Sequence, residues 1–133
     1  MKKLLLGVLV LFSISGFSQT LKTVKELEKA NQDCLDQGKN MLGCSRDYYE
    51  QMDALLNKVY NKLRTSLTAE EKAKLKKEQQ LWLKKRDKYA DEQYDETAEL
   101  LEGETESQDF KMIVRHSEAE FVKERVIVLI KRL

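Results

Sequence analysis

The chain has 133 residues, 35% of them charged, no proline, and a formal net charge of +1. That length holds one small domain. A near-balanced charge excludes a bulk electrostatic partner such as nucleic acid, and a proline-free chain rich in Leu, Lys, Glu and Gln points to an all-α domain of three or four helices.

The first segment reads as an address rather than a fold element. Met1, Lys2 and Lys3 give a basic start, and residues 4–14 are a largely apolar run. Gly16 and Ser18 stand at −3 and −1 of a cleavage point before Gln19. This is the pattern of a secretory signal peptide over residues 1–18, and the run is far shorter than the ~20 residues a stable membrane-spanning helix needs. No cysteine lies near the cleavage point, so no lipid anchor is expected. Residues 19–133 then form the mature domain, exported to the periplasm or beyond. Loss of Lys2 and Lys3 takes the formal charge from +1 to −1.

Leu21, Val24, Leu27 and then Ala30 or Asn31 space out a short amphipathic helix toward Cys34. Residues 36–40, Asp-Gln-Gly-Lys-Asn, are turn chemistry, and Gly43 precedes Cys44. In an exported protein two cysteines around such a turn read as a disulfide, Cys34–Cys44. A metal site needs more ligands than this pair, and a nucleophilic thiol needs a base and an orienting group.

Next comes a helical hairpin with arms over residues 45–67 and 69–101. Tyr49, Met52, Leu56, Val59 and Leu63 repeat at helical steps, with Asp53, Asn57 and Tyr60 beside that stripe. Thr68 with Glu71 is a capping-box pattern that starts a helix at Ala69. Leu75, Gln79, Trp82, Arg86 and Tyr89 share one side of the second arm, while Lys76, Lys77, Lys84, Lys85 and Lys88 fill the other. Short linkage makes the arms antiparallel. Trp82, the single tryptophan, is expected against Leu56, Val59 or Tyr60, with Arg86 reaching Asp53 or Asn57 as a buried polar lock. The last helix spans about residues 109–131, with Phe110, Ile113 or Val114, Ser117, Phe121 and Arg125 on one side and residues 126–130 apolar all round, so that this end is expected to be enclosed.

Asp53-x-x-Leu56-Asn57-x-x-Tyr60, followed by Leu75-x-x-x-Gln79-x-x-Trp82-x-x-x-Arg86-Asp87, resembles the central signature of the LprI-type lysozyme-inhibitor family. The upstream cysteines and the run after Arg125 fit it too, so the resemblance covers roughly residues 34–133. The family pattern often places a further Cys shortly after the Arg-Asp pair; here Lys88, Tyr89 and Ala90 follow. The resemblance implies a protein that binds and occludes a lysozyme, shielding peptidoglycan, without chemistry or cofactor of its own. The alternative is an envelope protein-interaction module of the same fold that inhibits nothing.

Residues 91–109 hold nine acidic side chains and no basic one. Asp91, Glu92, Asp95, Glu96 and Glu99 include like-charge pairs four apart, each unfavourable by a few tenths of a kcal/mol. They suit contact with a strongly basic protein such as a c-type lysozyme. The other readings are an ordinary solvated face and a loose Ca²⁺ site, although no EF-hand spacing is present. Carboxylates on one exposed helix side do not face each other across a cleft as glycoside hydrolysis requires. His116 beside Glu120 reads as a rim pair rather than a catalyst, and the lysine-rich back of the central helix lacks the exposed aromatics of a nucleic-acid face.

Overall fold

A computed structural model describes the backbone over residues 15–133 and side chains from Thr20 onward. The basic start and apolar run of the expected signal peptide lie outside the described residues. Four helices follow in order: α1 (Ser15–Asp36), α2 (Met41–Arg64), α3 (Ala69–Leu100) and α4 (Gln108–Ile130). The proposed cleavage point before Gln19 falls inside α1. The described side chains of α1 that reach the core, Leu21, Val24 and Leu27, all lie after it.

Local chemistry sets the helix ends. α2 starts earlier than the spacing suggested because Asn40, at φ 46°, caps it, its side chain accepting from the Gly43 N–H. A Cβ at Gly43 would displace the Asn40 side chain that makes the cap. The capping box of α3 is complete. The Glu71 N–H donates to Thr68 Oγ1 at 3.3 Å and the Thr68 N–H donates to Glu71 Oε2 at 2.8 Å. At the far end of α3 the Gly103 N–H, with φ 85°, reaches back to the Ala98 carbonyl at 2.8 Å, a left-handed termination that glycine adopts without strain. Ser107, which the spacing alone did not single out, caps α4 by accepting from the Phe110 N–H.

The chain runs up and down, so α2 and α4 are parallel to each other and antiparallel to α1 and α3. Tyr94 meets Phe110, Trp82 meets Phe121, and Gln79 meets Arg125, which fixes the direction of α3 against α4. The Cys34–Cys44 disulfide joins the end of α1 to the start of α2, with Cα atoms 5.8 Å apart. Backbones pack most extensively between α2 and α4, and α3 leans mainly on α4. Met52, Leu63, Leu75, Val122, Val126, Leu129 and Ile130 are sealed from solvent at the centre. The hairpin of α2 and α3 is present, but α4 wedges into one side of it and holds its arms apart.

With that wedge in place, the spacing-based reading is extended at one point and altered at two. Trp82 shares the core with Leu56 and Val59, yet the ring stacked against it belongs to Phe121 of α4, with centroids 5.9 Å apart. Arg86 pairs with its neighbour Asp87 at 3.0 Å instead of closing on Asp53 or Asn57. Val128 is exposed, so the end of α4 is not enclosed all round.

Candidate functional site

Two surfaces carry the residues that the sequence marked. The first is the outer side of α3 in its C-terminal half. Asp91, Glu92, Asp95, Glu96 and Glu99 are all exposed there. Their helix is fixed from behind by Tyr89 stacked on Phe121 at 4.4 Å, by Tyr94 edge-on to Phe110, and by buried Thr97. Glu92 is paired with Lys88 at 2.8 Å, and Glu96 accepts from Gln93 at 3.0 Å. Among the described residues no His, Cys, Asp or Glu group gathers in a way that could hold a metal ion. The tract is a solvated acidic strip, a geometry that can meet a basic surface.

The second surface is a groove of about 370 Å³ left where α2 and α3 splay. Asp53, Asn57 and Tyr60 line it from α2; Gln79 and Arg86 line it from α3; Leu56 and Leu83 supply apolar wall. Trp82 lies beneath, buried, with the Arg86 guanidinium 5.9 Å from its ring centre. So the resemblance-marked positions divide by role. Leu56, Leu75 and Trp82 are core, whereas Asp53, Asn57, Tyr60, Gln79 and Arg86 face the groove. Asp87 sits outside and neutralises Arg86.

The buried polar lock exists, but it is built from different residues. Arg125 of α4 is 8% exposed and donates from Nε to Gln79 Oε1 at 2.9 Å. Its Nη2 lies 2.9 Å from Glu78 Oε1, and Arg132 grips the same carboxylate from outside at 2.9 Å. A second lock joins three helices. Tyr48 of α2 donates to Glu120 of α4 at 2.7 Å, and Lys123 bridges Glu120 to Glu28 of α1, the latter at 2.7 Å. The His116 ring lies against the Tyr48 ring at 5.8 Å, while Tyr48 and Lys123 take up Glu120. Sequence spacing could not find Glu78, Tyr48 or Lys123, since each pairs with a residue far away in the chain.

These locks set the response to acid. Burial pushes the Glu120 carboxyl up, but hydrogen bonds from Lys123 and Tyr48 outweigh it and hold the group below the usual range. For Glu78, burial is likewise outweighed by Arg125 and Arg132. A carboxyl lowered on folding stabilises the folded state above its unfolded pKa of about 4.3. That contribution is lost as pH falls through the lower folded value. Glu118 is the reverse: burial raises it despite Arg115 and Arg86, so it disfavours folding as pH rises. Thermal melting is expected to fall on acidification below about pH 4.3, and Glu120→Gln should flatten that acid limb while lowering the neutral-pH plateau. An acid limb as steep in the variant as in the parent would show that Glu120 is not its source.

The chain matches the family model described as lysozyme inhibitor LprI over residues 28–129. The chain belongs to the LprI lysozyme-inhibitor family. The matched span covers nearly all of the helical domain, from the middle of α1 to the end of α4, including both surfaces just described. Comparison with curated proteins and with solved structures gave no match. Family membership places this LprI-family chain among inhibitor-like proteins, with a four-helix, disulfide-linked domain. No described helix is long and apolar enough to cross a membrane.

Proposed function

We propose that the protein is exported, loses residues 1–18, and binds a lysozyme so as to occlude it, protecting peptidoglycan by stoichiometric binding rather than by catalysis. The observation that carries this reading is family membership over residues 28–129. The contact is assigned to Asp91, Glu92, Asp95, Glu96 and Glu99, which are exposed together on a helix braced from behind. Several like charges on a fixed support steer a basic partner during encounter, raising the association rate more than the final affinity. The reading has one rival, an envelope interaction module of the same fold. It draws on the apolar side chains that α3 leaves in solvent, Leu100 at 71% and Leu81 at 53% exposed.

The test is association with an immobilised basic c-type lysozyme at low and high salt. The expected rate falls with salt, as exposed charges are screened over a Debye length of about 10 Å at 0.1 M. It falls by about tenfold or more when Asp91, Asp95 and Glu99 are changed together to Asn, Asn and Gln. Binding with an unchanged rate in that variant would move the contact off α3.

A further inference from the structure

We propose that the outer face of α3 is a self-association surface, on which a second copy of this chain packs its own α3 antiparallel. The core decides which face this is. Trp82 turns inward and is buried, so the opposite side of the helix is left to solvent. Along that side run Leu81, Lys84, Lys88, Asp91, Asp95 and Ala98, at steps of 3, 4, 3, 4 and 3. That alternation keeps all six on one seam of a helix, as in a coiled coil. The first five are exposed, and Ala98 is half-buried.

The steps read the same in both directions, while the residue types invert about the midpoint: Leu-Lys-Lys before it, Asp-Asp-Ala after it. Two such seams laid antiparallel set Lys88 against Asp91, Lys84 against Asp95 and Leu81 against Ala98. Two-fold symmetry repeats each contact, and no like charges face each other. Sliding one copy by a turn either way sets Lys88 or Asp91 against its own counterpart, so the charges fix the register. The same order selects the partner. A basic protein can use only the aspartates and an acidic one only the lysines, whereas an antiparallel copy uses both halves at once. In a lone chain the arrangement is unfavourable. Lys84 with Lys88, and Asp91 with Asp95, are like charges one turn apart. The acidic half also lies at the negative pole of the helix dipole, and the last turn of α3 holds no basic residue. A second copy brings Lys84 and Lys88 onto that end. Lys88 is held at 2.8 Å by Glu92 of its own helix, but both are solvated, and an ammonium has donors for a second carboxylate. From Leu81 to Ala98 the seam is about 26 Å long at 1.5 Å per residue. Exposed ion pairs each contribute little, so the dimer is weak and salt-sensitive.

The dimer covers Asp91 and Asp95, so self-association and the lysozyme contact exclude each other, and the monomer is the form that binds a lysozyme. The test is sedimentation velocity of the purified, disulfide-bonded protein with no lysozyme present, so its failure leaves the inhibitor reading untouched. At low salt a monomer should give way to a dimer as the protein concentration rises to about 1 mM. The dimer should be lost at about 1 M salt, where the screening length is about 3 Å. The double variant Lys84→Glu/Lys88→Glu should associate at least about tenfold more weakly, since its seam faces like charges in every pair. Adding Asp91→Lys/Asp95→Lys to that variant inverts every charge of the seam and should restore the dimer. All four positions are exposed, so melting temperatures should stay near the parent's. A monomer at every concentration in low salt would overturn the proposal. So would a dimer that the double variant does not weaken, or a fourfold variant that stays monomeric where the parent dimerises.

Discussion

Replacing Trp82 by Ala should destabilise the protein by about 3–5 kcal/mol, the usual range for emptying a buried aromatic site. The side chain is 9% exposed and stacks on Phe121, which in turn stacks on Tyr89. Removing it opens a void between α3 and α4 and takes away the surface on which the Arg86 guanidinium rests. α3 has little backbone contact with α2, so α4 is its main support, and the Trp82–Phe121 stack is central to that support. The loss is a large fraction of the roughly 5–15 kcal/mol that holds a domain folded. Chemical denaturation would show it as a lower midpoint with an unchanged slope. A variant with the parent's midpoint would mean that the central stripe of α3 does not anchor the bundle.

The second large effect is expected from the disulfide. Changing Cys34 and Cys44 together to Ala should lower stability by about 2–3 kcal/mol, the chain-entropy value for a short closed loop. The bond spans ten positions and fastens α1 to α2 beside the turn at residues 37–40. α1 has other attachments, Val24 in the core and Glu28 paired with Lys123, so the double variant should still fold. The opened end should be the C-terminal turn of α1, with faster amide exchange there than in α4. Equal stability of the oxidised and double-variant proteins would mean that packing of α1 alone fixes it.

Much of this architecture could be read from residue spacing. The capping box at Thr68 placed the start of α3 at Ala69, and the stripe from Leu75 to Tyr89 is the face that turns inward. The disulfide followed from two cysteines around a turn and the expectation of export. What periodicity cannot say is which helix a buried face meets. The stripe on α2 was assigned to its chain neighbour α3, whereas α4 takes most of it, because a parallel partner far along the sequence leaves no local mark. The same limit misplaced the polar lock. Gln79 and Arg86 share a face with Trp82, and spacing cannot tell a polar residue paired inside the core from one at the lip of a groove. Gln79 proved to be both, and Arg86 belongs to the lip. The acidic run was legible as an exposed strip from composition alone, since charge runs stay solvated.

The measurement that bears most directly on the account is lysis of peptidoglycan by a basic c-type lysozyme, with and without the purified, oxidised protein. The account predicts slower lysis in proportion to added protein, reaching full suppression near equal molar amounts at low salt and weakening as salt rises. Undiminished lysis at every salt and ratio, with g-type and i-type enzymes equally unaffected, would contradict it and leave the interaction module as the function of this fold.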